Sequence, residues 1–169
     1  MKLFSFSLLL IAFLMLGFTP FVVLANSNAT VSATVTPELI SVLVNYLQVD
    51  YGVVAIGQAE KVLPGNPINV KNNGTVNENF SVQGSDATAG SDIWTLDTAQ
   101  SQDKFVHEFQ NTANTNWYKL SKTTGVSLAG NLSPNGSVDM KLRISMPTSI
   151  TGAYTQYSTL VSILAVKQG

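Results

Sequence analysis

The chain has 169 residues and a formal net charge of −1, and only 11% of its side chains are charged, well under the ~25% of ordinary soluble domains. So even a balance excludes attraction to nucleic acid or anionic lipid through charge alone. The absence of cysteine excludes a disulfide framework and a lipid-bearing cysteine, so an apolar core must hold the fold, with Asn, Ser, Thr and Gln supplying the polar surface.

Chain order begins with Lys2 and the almost wholly apolar residues 3–16. Val23-Leu24-Ala25 supplies small or β-branched side chains at the −3 and −1 positions of a signal-peptidase site. Residues 1–25 therefore read as a cleaved secretory signal helix, cut between Ala25 and Asn26. A retained membrane anchor is the competing reading, because Phe21 to Leu24 lengthens the apolar run. Gly17 and Pro20 favour cleavage. The expectation is a secreted protein, extracellular or on the cell surface, with no membrane attachment after cleavage and one domain's length remaining.

Residues 26–37 form the next element, an extended N-terminal segment. Val31, Ala33 and Val35 fall on one side of "NATVSATVTP", with Thr30, Ser32, Thr34 and Thr36 on the other. Pro37 lacks an N–H and holds the preceding residue extended, which favours projection over folding back. Two readings compete. The segment is the first edge strand, or a tail, of its own domain; or it is a donor strand, with Val31, Ala33 and Val35 completing the sheet of a neighbouring subunit. The second gives a head-to-tail contact that does not close and so propagates as a homo-polymer.

From residue 38 to 169 apolar residues recur at period two, punctuated by Gly, Pro, Asn and Asp, and no stretch reads as a helix of useful length. Residues 42–51 and 53–56 are strand candidates. "INVKNNGTVNENFSV" reads as a hairpin with Ile68 opposite Phe80; Ile68, Val70, Phe80 and Val82 share its buried face, and Gly74 takes a positive φ in an odd-length loop. Residues 85–91 read as a small-residue loop. Further strands are expected at residues 93–96, 104–110, 116–120 and 126–128. After a turn at Ser133-Pro134-Asn135-Gly136 comes the clearest strand, "SVDMKLRISM", with Val138, Met140, Leu142, Ile144 and Met146 facing inward. Residues 156–167 are apolar on both sides and read as covered on both faces. Seven to nine short strands at this spacing predict an all-β antiparallel sandwich.

The run "VDYGVVAIGQAEKVLPGNPINVKNNGTVNENFSV" sharpens that expectation. A Tyr-Gly, a β-branched stretch, a Gly-Gln and an Ile-x-Val-x-Asn-Asn-Gly turn resemble the opening half of immunoglobulin-like domains of prokaryotic secreted and surface proteins. The resemblance spans about residues 49–83 and implies an immunoglobulin-like β-sandwich; it carries no catalytic residues. The cleavable signal, short N-terminal strand and Asn-Gly hairpin also resemble extracellular fibre subunits, the TasA-type biofilm matrix proteins and archaeal bundling pilins, which implies self-assembly.

No residue set for catalysis stands out. His107 is the only histidine, on the same strand side as Phe105 and Phe109, and a structural or surface role fits it best. With no cysteine and neither a His-Glu-x-x-His nor a Gly-x-Ser-x-Gly run, zinc hydrolysis and elbow-type serine catalysis lack parts. Glu38, Glu60, Glu78 and Glu108 could supply a carboxylate pair, but Glu78 and Glu108 occupy strand positions suited to solvated charges. Asp86, Asp92, Asp97 and Asp103 match no Ca²⁺-loop spacing, and turn or cap roles fit them better. The expectation is no enzyme, no metal and no cofactor. Trp94, Trp117, Tyr118, Tyr154 and Tyr157 could instead form a stacking platform for sugars, which makes an adhesive or carbohydrate-binding module with a surface-polysaccharide partner the alternative to a self-assembling structural protein. Five Asn-x-Ser/Thr sequons, at Asn28, Asn73, Asn79, Asn131 and Asn135, would suit a glycoprotein in a host that glycosylates them.

Overall fold

The computed structural model describes residues 32–169. The expected signal sequence and its Ala25–Asn26 cleavage step, with Asn28 and Val31, lie outside them. Thr36–Gly169 forms one compact unit.

The described residues contain eleven strands and no helix: β1 Val42–Val44, β2 Lys61–Val62, β3 Ile68–Asn72, β4 Glu78–Gly84, β5 Ala87–Ala89, β6 Asp92–Leu96, β7 Lys104–Asn111, β8 Tyr118–Lys119, β9 Val126–Leu132, β10 Ser137–Ser145 and β11 Val161–Lys167. They build two sheets. The larger runs β1-β3-β10-β7-β6-β5, with β2 also pairing with β10 and β8 with β7; the smaller runs β11-β4-β9. All ladders are antiparallel except β6–β7, which is parallel, so the sheets are not purely antiparallel as expected. Inward side chains of both sheets share one core: Ile68, Val70, Leu96, Phe105, Phe109, Met140 and Leu142 from the larger, Phe80, Val82 and Leu128 from the smaller.

β10 shows how period two is converted into burial. Met140, Leu142, Ile144 and Met146 are buried and Val138 is half-buried, while Ser137, Asp139 and Lys141 are exposed. The turn before it forms at the expected tetrapeptide: Gly136 N donates to Ser133 O at 2.8 Å, and Asn135 takes the left-handed conformation at φ 65°, a role its short polar side chain tolerates.

The expected β3–β4 hairpin does not form. β3 pairs with β1 and β10 in the larger sheet, whereas β4 pairs with β11 and β9 in the smaller. Ile68, Val70, Phe80 and Val82 are all buried, but they reach the core from opposite layers rather than side by side. One inward row in each layer satisfies the same alternation as one shared row, and period two cannot separate the two arrangements. Buried Asn72 holds the crossing: its amide donates to Val76 O and Leu132 O, both at 2.8 Å, and its Oδ1 accepts from Gly74 N at 2.8 Å. Gly74 is not at positive φ; the positive-φ glycines among the described residues are Gly52, Gly57, Gly65 and Gly90. Glycine is needed at 74 because a Cβ would collide with Glu78 Oε1 and Leu39 O.

Other boundaries also differ. Only Val42–Val44 of residues 42–51 is a strand, and residues 53–56 have none. Residues 85–91, read as a loop, contain β5, which pairs with β6. β11 is not covered on both faces: Val161, Ile163 and Ala165 pack on the core, but Leu160, Leu164 and Val166 are 71%, 40% and 56% exposed.

Candidate assembly edge

The residues weighed for chemistry are dispersed or already engaged. His107 is buried, and its Nε2 lies 2.9 Å from the Tyr51 hydroxyl. Burial lowers its pKa to about 4 and pushes the Tyr51 phenol up, so the pair is neutral at physiological pH. Glu78 and Glu108 are not solvated charges. Glu78 is fully buried and accepts from Ser41 N at 2.9 Å. Glu108 is 5% exposed and grips Arg143 through Oε2 at 2.6 Å and Oε1 at 3.1 Å. Both side chains were read as surface groups because their partners are distant in sequence. The two carboxylates belong to different sheets.

The aspartates serve turns and ion pairs. Asp86 accepts from Leu96 N and pairs with Lys122; Asp92 accepts from Ala153 N; Asp97 pairs with Lys104; Asp103 accepts from the Thr151 N–H and hydroxyl. No metal-holding cluster of His, Asp or Glu occurs among the described residues. The aromatics do not converge on a platform. Trp94 stacks on Tyr157 at 3.7 Å, Trp117 lies under the Arg143 guanidinium, and Tyr118 packs against Phe109. Tyr154 alone among them is widely exposed, at 86%. Of the described sequons, Asn73, Asn131 and Asn135 are exposed, while Asn79 is half-buried with its Oδ1 accepting from Asn131 N.

One sheet edge differs from the others. Unpaired strand edges invite further strands, and proteins blunt them with short strands, bulges, prolines or charges. β1 and β5 have three residues each, and Thr88 of β5 exchanges two backbone hydrogen bonds with Ser158. β9 is bulged against β4 and carries Asn131 at φ 54°. β11 has none of these guards. Its seven residues contain no glycine or proline and one charge, Lys167 at the very end, and that ammonium is held by Glu38 at 2.7 Å.

The open groups of this edge follow from its register. Ser85 N donates to Leu160 O at 3.1 Å, and Gln168 N donates to Asn77 O at 2.8 Å, both continuing the β11–β4 ladder. Alternate pairs of an antiparallel ladder carry the hydrogen bonds. Leu160, Ser162, Leu164, Val166 and Gln168 therefore bond β4, while Val161, Ile163, Ala165 and Lys167 turn their N–H and C=O groups to the other side. Among the described residues no strand pairs with that side.

The N-terminal segment is rooted beside the same strand. Glu38 holds Lys167, Leu39 N donates to Thr75 Oγ1 at 2.9 Å, and Thr75 N donates to Leu39 O at 2.9 Å. Of the candidate donor residues, Ala33 and Val35 are exposed and belong to no strand, Val35 at 90%. The edge itself was missed at the sequence level; the signal was there in "LVSILAV", apolar on both sides with no guard residue. No family model, curated protein or solved structure matches the chain.

Proposed function

We propose that the protein is a secreted, non-catalytic structural subunit of the cell surface or extracellular matrix, and that it polymerises into filaments by donation of its N-terminal strand. Residues 1–25 act as the signal and residues 26–37 as the donor segment. Residues 38–169 are the acceptor domain, an immunoglobulin-like β-sandwich by the resemblance of residues 49–83. The observation that carries the reading is the unguarded edge of β11 in a chain that also has an alternating, uncharged segment to spare. The low charge and the amide- and hydroxyl-rich surface suit close packing against further copies. In a host that glycosylates secreted proteins, the exposed sequons at Asn73, Asn131 and Asn135 would carry the glycan.

Electron microscopy of the protein secreted from the full-length gene tests this. Filaments are expected, and deletion of residues 28–36 is expected to leave a folded monomer that does not polymerise. Equal assembly by the truncated chain would refute strand donation. The alternative, an adhesive module for surface polysaccharide, predicts a monomer that binds glycan arrays; the dispersal of its aromatics gives it less support.

A further inference from the structure

We infer that the acceptor is the outer edge of β11 and that its occupant is residues 29–35 of a second copy, antiparallel to it, with Val35 opposite Val161, Ala33 opposite Ile163 and Val31 opposite Ala165. This rests on the filament reading above and adds the partner surface, the direction and the register.

Backbone parity comes first. The groups open at the edge belong to Val161, Ile163, Ala165 and Lys167, so an incoming strand must place hydrogen-bonded residues opposite these four. Paired residues in a ladder project to the same face. Val161, Ile163 and Ala165 face the core, so the incoming residues opposite them also face inward and should be apolar. Val31, Ala33 and Val35 are the apolar row of the segment. A slip of one residue would turn Thr30, Ser32, Thr34 and Thr36 inward and is penalised throughout.

Length, size and charge then agree. Residues 29–35 and β11 each span seven residues, about 23 Å at ~3.3 Å per residue. Small Ala33 meets large Ile163, and Val31 meets small Ala165, so the inward row alternates in bulk. That row would extend the core on the side where β1, with half-buried Val42 and Val44, lies beside β11. On the outer face Thr36, Ser32 and Thr30 would cover exposed Leu160, Leu164 and Val166. The donor segment has no charged side chain, and Lys167 of the acceptor is already held by Glu38. In this register Pro37 falls opposite Thr159, two residues beyond the seven paired ones, where the ladder has ended and its missing N–H costs no bond.

Direction separates a second copy from the segment's own domain. Glu38 is fixed at the Lys167 end of β11. The chain's own residues 29–35 could therefore follow β11 only from that end, which makes the pairing parallel. The smaller sheet is antiparallel throughout, and antiparallel pairing is the more stable per residue. Antiparallel entry requires another molecule.

The register gives its own test. The Ala165 N–H faces the open side, so Ala165→Pro removes no existing ladder bond but blocks the edge; the Leu164 N–H bonds β4, so Leu164→Pro should disrupt the domain. Secreted Ala165→Pro protein is expected to keep the wild-type circular-dichroism spectrum and lose filaments. Because the chain has no cysteine, an Ala33→Cys chain mixed with an Ile163→Cys chain should form an intermolecular disulfide on mild oxidation, as should Val35→Cys with Val161→Cys. The Cα separation of a hydrogen-bonded pair, about 5.5 Å, lies within disulfide reach. Ser162→Cys, of the wrong parity, should cross-link at least tenfold less. Filaments with neither cross-link, or undiminished assembly by Ala165→Pro, would overturn this acceptor and leave the filament reading standing. A monomeric disulfide in the Ala33→Cys/Ile163→Cys double variant would show that the segment pairs within its own chain, and absence of filaments from the wild-type protein would overturn both proposals.

Discussion

His107 lies on the inner face of the larger sheet, opposite Ile144, and burial holds its pKa near 4 against a usual 6.5. The unfolded chain therefore binds a proton in the interval where the folded chain does not, and stability falls as pH drops below 6.5. Between pH 7.5 and pH 5, above most carboxylate titrations, this one group should cost about 2 kcal/mol. Urea denaturation at the two pH values should show that difference in the wild type and a much flatter response in His107→Gln; parallel slopes would mean the imidazole is solvated. The sequence left His107 with a structural or surface role, and its burial between Phe105 and Phe109 decides for the first. Its Tyr51 partner was not foreseeable, since the two are 56 positions apart. A separation of 35 positions likewise hid the pairing of buried Glu108 with Arg143. The need for glycine at 74 was legible, but its cause is the close approach of Glu78, just along the chain, and of the Leu39 carbonyl, which is distant in sequence.

At the scale of elements, the strongest alternation gave the most faithful prediction. β10 runs in the expected place with its expected row inward, because five apolar residues at strict period two admit one low-energy facing. Leu142, 1% exposed, sits at its centre, and Leu142→Ala should cost ~2–5 kcal/mol. An unchanged urea midpoint would mean the strand faces the other way. The short strands β2 and β5 were illegible, because two or three residues define no period, whereas β8 falls within the strand expected at residues 116–120 but fills only part of it. The β3–β4 crossing was misread for a different reason. "NNG" is a strong hairpin signal, but here Asn72 spends its side chain on both the local turn and Leu132 O, joining two layers instead of closing one ladder.

For the whole molecule, period two and turn spacing indicated an all-β chain and composition an uncharged polar surface, and the two sheets on one core agree with the all-β outline. The candidate site was only half legible. The donor-like segment stood out as an alternating run with no partner, whereas β11 looked covered on both faces, since apolarity alone does not say whether the cover comes from the same chain. The crossing at Asn72 carries one more consequence, which concerns ageing. Polypeptides left outside the cell lose asparagine amides fastest at Asn-Gly steps, where the glycine nitrogen attacks the preceding side chain to form a succinimide. This chain has two such steps, Asn73-Gly74 and Asn135-Gly136. In both, the glycine N–H is already committed, to Asn72 Oδ1 and to Ser133 O, each at 2.8 Å, and Gly74 is buried besides. The folded protein should therefore deamidate at these steps far more slowly than the urea-unfolded chain during weeks at mildly alkaline pH, as peptide mass spectrometry would record, with Asn73 the slower of the two. A fold that shields its own weakest bonds in this way is suited to remain in place long after its synthesis has stopped.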